Sequence, residues 1–236
     1  MKKLITFLLY VLIVNILVSL LLIININSNK CSIKESAITK AMSNNDNYNL
    51  IVQILKDTHK EDFIKHIDYM QLNIFKNIEN DTNNFTAFNI TLPQNKSFIA
   101  FYKKNSDDTY SFDCIVDNLC NIDNFYFYKN FLVIEQISED DNNYLNDKKF
   151  IEIFYKEKSI FVSKLKKDLY IEIIDLENDD KSILSASMDF LDDNPPKILY
   201  VSTVSSMEKA LDKKILKELY IWDNNLNKFV ISKDSI

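Results

Sequence analysis

The sequence predicts an α+β protein: an N-terminal transmembrane helix, a short helical neck, then a mostly antiparallel β meander, sandwich-like or barrel-like. Three observations predict it. Residues 4–24 carry no charge, and apolar residues between 32 and 80 recur at helical spacing. From Asn83 onward the period changes to two, with runs of Phe, Tyr, Ile and Val separated by Asn, Asp and Ser clusters, the mark of strands and turns. The chain therefore divides into a cytoplasmic tip and anchor at 1–30, a helical segment at 31–81 and a β-rich domain at 82–236, with a candidate division into two halves near 138–148.

Met1-Lys2-Lys3 precedes the uncharged run, which is interrupted only by Thr6, Asn15 and Ser19 as small polar residues. At about 1.5 Å per helical residue it spans the roughly 30 Å hydrocarbon core. A cleaved secretory signal would have a shorter apolar run and small residues before the cut, whereas Asn25 to Lys30 offers no such site. Cys31 suggests a lipoprotein, but Ser28-Asn29-Lys30 before it is not a small-residue box. The lysines at the short N-terminal side place that end in the cytoplasm and the remainder outside, as a single-pass signal-anchor protein of the cell membrane. Asn15 and Ser19 share a helical face with Leu8, Leu12 and Leu22, which makes them candidate membrane-helix contacts. An interhelical hydrogen bond there averages only about 0.6 kcal/mol.

Residues 32–80 read as three helices. Ser32 caps one that ends near Met42, Asn44-Asn45-Asp46 breaks it, and a second runs from Tyr48 to Lys56. Thr58-His59-Lys60-Glu61 has the form of a capping box. It predicts a third helix with Phe63, Ile67, Met70, Ile74 and Ile78 as one apolar stripe. Strands follow at 84–91, 97–104, 109–116, 125–137, 149–156, 159–166, 169–175, 182–190, 197–204, 217–222 and 228–232, with a short helix over Met207–Leu216.

The chain of 236 residues contains no glycine, and all 28 of its basic residues are lysine. Without glycine there is no Walker loop, dinucleotide turn, nucleophile elbow or regular EF-hand, since each needs a backbone position that glycine alone occupies comfortably. Without arginine there is no guanidinium fork for phosphate or guanine. All 34 acidic residues lie beyond the anchor, so the outer part is more acidic than the net charge of −6 suggests, and nucleic acid is disfavoured as a partner. The bias follows AT-rich codons as well as any structural need. Its structural consequence is that tight turns must rest on Asn and Asp, the best of the remaining residues at positive φ.

Few constellations carry chemistry. Glu135, Glu152 and Glu172 each sit in an Ile-Glu motif, and three neighbouring carboxylates would suit glycoside or peptidoglycan cleavage. The plainer expectation is cross-strand pairing with Lys149, Lys156, Lys164 or Lys166. His59, Asp62 and His66 fall at i, i+3 and i+7 of the third helix and form a candidate partial metal shell. Cys114 and Cys120 are symmetric about Asp117, so a turn there would let them form a disulfide. Asp192-Asp193-Asn194 reads as an acidic turn. Phe125 to Tyr128 reads as a core face backed by a tyrosine face. No motif implies a cofactor. The function these features favour is a membrane-anchored extracytoplasmic binding or interaction protein without catalysis, whose partner is another envelope or surface protein and which can form homo-oligomers. The alternatives are a carboxylate-based envelope hydrolase and a structural subunit of a membrane complex.

Overall fold

The computed structural model describes Asn15 and residues 32–44, 47–79, 84–93, 96–138, 148–158, 160–175, 180–206 and 213–232. The expected anchor at 4–24, including Ser19, lies outside the described residues, apart from Asn15, which is helical and exposed. No helix of the described residues is long and apolar enough to cross a membrane.

The elements, in order, are β1 (Ile33–Lys34), α1 (Glu35–Asn44), α2 (Tyr48–Asp57), a 3₁₀ helix (Glu61–Tyr69), β2 (Gln71–Glu79), β3 (Asn84–Leu92), β4 (Lys96–Lys104), β5 (Thr109–Leu119) and β6 (Asn121–Tyr128). They continue with β7 (Phe131–Ser138), β8 (Lys148–Glu157), β9 (Ile160–Asp175), β10 (Asp180–Leu191), β11 (Lys197–Ser206), β12 (Lys213–Asp223) and β13 (Lys228–Ile231). The strands form one open, hydrogen-bonded sheet in the order β13-β12-β11-β10-β9-β5-β4-β3-β2, with β8, β7 and β6 branching from β9 and β1 pairing with β5, so the β-rich expectation holds and the barrel alternative does not.

Three stacked cores give the sheet its layers. In the first, α1, α2 and the 3₁₀ helix cover one face of β3–β5, with Ile38, Ile54 and Leu55 against Phe88, Ile90, Phe98 and Tyr102. In the second, the opposite face of those strands, with Phe85, Ile99, Phe101 and Cys114, meets Leu132 and Ile134 of β7 together with Phe154 and Phe161. In the third, Phe131 and Val133 of β7 and Ile151 and Ile153 of β8 meet Tyr200, Trp222 and Phe229 of the outer strands. The run Phe131-Leu132-Val133-Ile134 is therefore continuous rather than alternating because both faces of its strand are buried. Each of those side chains is worth about 1.5–3 kcal/mol of burial.

The long strand β9 joins the middle and outer layers: residues from Ile160 to Tyr170 pair with β8, and Tyr170 to Asp175 pair with β10. It runs through Lys167-Asp168, where the sequence suggested a break, because both charges are engaged. Lys167 meets Glu218 at 2.7 Å and Lys148 meets Asp168 at 2.7 Å.

Several expectations are corrected. The third helix is a 3₁₀ helix ending at Tyr69, and Ile74 and Ile78 lie on β2, which adds to the edge of β3. Thr58 caps no new helix. Its hydroxyl donates back to the Ile54 carbonyl at 2.7 Å, closing α2. The helical segment is a layer packed on the sheet, tied down by the Tyr102 hydroxyl donating to Asp57 at 2.8 Å. Burial pushes the Asp57 carboxyl above its ordinary range, against the hydrogen bonds from Tyr102 and Gln53. Residues 125–137 form a hairpin, β6 and β7, turning at Lys129-Asn130, and of the helix expected over Met207–Leu216, Lys213–Leu216 is strand while 207–212 lies outside the described residues. The strands on either side of 138–148 are hydrogen-bonded neighbours, with Ser138 opposite Lys148.

Turns without glycine follow the expected rule in part. Positive φ falls on Asn77, Asp108, Asn118 and Asn227, but also on His59, Lys129 and Lys158. At the last hairpin, Asp223 Oδ1 accepts from the Asn225 and Leu226 amides at 2.8 and 3.1 Å.

Candidate functional site

The glutamates do not converge. Glu135 lies opposite Ile151 and Glu152 opposite Ile134, so the two carboxylates leave opposite faces of the β7–β8 ladder. Glu135 pairs with Lys149 at 2.8 Å, and Lys149 also holds Asp123 at 2.7 Å. Glu152 accepts from Gln136 Nε2 at 3.1 Å, and Glu172 accepts from the Tyr170 hydroxyl at 2.7 Å. Lysine pairing is thus found at Glu135, whereas Glu152 takes a neutral donor.

His59 occupies the turn after α2 with φ 56°, while Asp62 and His66 sit on the 3₁₀ helix, and all three are exposed. With about three residues per turn, Asp62 and His66 leave that helix in different directions. Among the described residues no three His, Cys, Asp or Glu side chains gather as a metal site.

Cys114 and Cys120 are free thiols, and the expected turn at Asp117 is absent because β5 continues to Leu119. Cys114 faces the second core, where burial and then the neighbouring Asp113 carboxylate push its thiol far up. It donates to Asp113 Oδ2 at 3.1 Å. Asp113 also takes an ion pair from Lys156 and another from Lys103 at 3.0 Å. Burial raises the Asp113 carboxyl, and these donors more than offset that, holding it below the usual carboxylate range.

Asp192 pairs with Lys129 at 2.9 Å and Asp193 with Lys197 at 3.1 Å, as an acidic turn would. Phe125 and Phe127 pack into the second core, and Tyr128 stacks toward Phe190 with centroids 4.5 Å apart.

The arrangement that stands out was not legible as a motif. Between the ends of β2, β3 and β6 lies a cleft of about 460 Å³ with no charged side chain among the described residues of its lining. The face of β2 and β3 that carries Phe85 and Ala87 into the second core, and Phe75 against Phe125, continues at the same parity into Asn73, Asn89, Gln71 and Thr91. Asn73 lies directly opposite Asn89, and Gln71 opposite Thr91. Asn121 closes the far side, Tyr69 stands at the rim 77% exposed, and Leu92, Pro93 and Ile122 supply the apolar remainder.

Asn89 is the deepest of these side chains, 4% exposed, and among the described residues nothing donates to its Oδ1. The contrast with Gln136 is direct. That carboxamide, 1% exposed, accepts the Cys120 amide at 2.8 Å and donates to Glu152. A second cleft, of about 470 Å³ between β1, α1 and α2, combines Lys34 and Lys40 with Ile33 and Leu50, and no unpartnered buried polar atom lies in its lining.

Comparison with known proteins gives no matching family model, no matching curated protein and no matching solved structure.

Proposed function

We propose that the chain is a single-pass, N-in membrane protein whose β-rich part lies outside the cell and binds an envelope or surface component without chemistry. The observation that carries the binding reading is the uncharged cleft with Asn89 at its floor. Gln71 and Asn73 stand exposed in that cleft beside the buried Asn89, and their carboxamides, donor and acceptor side by side, suit a polar uncharged ligand. The engagement of Glu135, Glu152 and Glu172 by other side chains, with two of them on opposite faces, supports binding over hydrolysis. The uncharged run at 4–24 and the acidic outer part support the membrane placement. Protease treatment of intact cells tests it: residues 31–236 are expected to be cleaved without lysis, and their protection until lysis overturns the topology.

A further inference from the structure

We infer that the cleft between β2, β3 and β6 takes an uncharged, polyhydroxylated ligand, a segment of glycan, held by the exposed carboxamides of Gln71 and Asn73. This rests on the binding reading above and names the ligand class. Four carboxamides line the cleft: Gln71, Asn73, Asn89 and Asn121. A carboxamide offers a donor and an acceptor side by side, which is what a sugar hydroxyl, itself both donor and acceptor, requires. An anionic or cationic ligand would call for an opposite charge, yet among the described residues none lines the cleft although 26% of the chain is charged.

The walls have the rest of the chemistry. The Tyr69 ring, 77% exposed at the rim, offers the apolar face of a sugar ring something to lie on while its hydroxyl stays wet. Thr91 adds a hydroxyl supported by Ser97, whose Oγ donates to Thr91 Oγ1 at 3.4 Å. Ser97 is 1% exposed, so the hydroxyl pair is fixed from beneath. The amides of Gln71 and Asn73 stand on the sheet face, not along the free edge of β2. A peptide adding to that edge would use backbone groups and leave the cleft's side chains unengaged.

The test uses the full chain in detergent micelles or nanodiscs, titrated with chitotriose, maltotriose and a neutral hexapeptide, binding being read by saturation-transfer NMR and calorimetry. One or both sugars are expected to bind, with affinity falling about tenfold in Asn73→Ala, the loss expected for one hydrogen bond. A several-fold fall is expected in Tyr69→Ala, whose exposed position leaves folding untouched. Unchanged emission from Trp222, which lies in the third core, checks that each variant is folded. Sugar binding that neither substitution weakens overturns the site. Peptide binding without sugar binding overturns the ligand class and leaves the binding reading standing. Binding of no probe overturns the inference, while the topology is judged separately by the protease experiment.

Discussion

Replacing Asn89 by leucine should stabilise the protein, although it alters a residue only 4% exposed in the middle of a sheet. Its Oδ1 lacks a donor among the described residues, and such a group costs about 1–3 kcal/mol in desolvation. Leucine keeps the branching at Cγ, removes that cost, and finds room for its extra volume in the adjoining cleft of about 460 Å³. Setting against this about 0.5–1.5 kcal/mol for whatever hydrogen bond the amide nitrogen forfeits leaves a net gain of about 1 kcal/mol. For a domain of this size that raises Tm by about 2–4 °C. Urea and thermal unfolding of the full chain in mild detergent, followed through the single tryptophan, Trp222, provide the assay. Gln136→Leu is the matched control. It deprives the Cys120 amide of its acceptor and Glu152 of its donor, and is expected to lose about 1–3 kcal/mol. A loss of stability in Asn89→Leu comparable to that in Gln136→Leu would refute the claim that the Asn89 oxygen is unpartnered.

Acid stability should depend on Asp113. Its folded carboxyl is held below the ordinary value by Lys156 and Lys103, so on acidification the unfolded chain takes up the proton first. The stabilisation is complete above about pH 4 and is lost as pH falls through the lower folded value. Asp113→Asn should therefore cost about 1–3 kcal/mol at pH 7 and flatten the decline below pH 4 in denaturation curves; a variant with the wild-type acid slope contradicts the assignment. The thiols should separate in native labelling with a maleimide followed by peptide mass spectrometry. Buried Cys114 is expected to stay unmodified while half-buried Cys120 reacts, and recovery of a Cys114–Cys120 disulfide would contradict the continuous course of β5.

The strands from β3 to β13 are largely legible because each apolar run is closed by Asn, Asp or Ser; the hairpin at Lys129-Asn130, the long β9, the extension of β5 to Leu119 and the start of β12 at Lys213 are not. Lysine accounts for the first two in opposite senses: Lys129 sits inside an aromatic and apolar run and reads as strand, whereas Lys167 beside Asp168 reads as a break. Lys129 instead occupies a positive-φ turn, and Lys167 is held in mid-strand by Glu218. The stretch 63–78 was misread because its apolar spacing satisfies both periods. Leu72, Ile74 and Ile78 alternate on β2 as well as they line a helix, and the free edge of β3 decided between them. The run Phe131 to Ile134 did carry a readable sign of burial on two faces. The cleft did not, since Asn73, Asn89 and Asn121 have no contrast in an asparagine-rich chain, and only strand register brings them together.

The double-faced middle layer also makes the inner strands depend on the outer ones for cover. A polypeptide released before its outer strands would present Phe131, Val133, Ile151 and Ile153 to water as one contiguous apolar patch. Such a patch is what chaperones and proteases recognise in immature chains. Truncated products should therefore be removed rather than accumulate as smaller working versions, and the Trp222 end of the sequence decides the survival of segments made long before it.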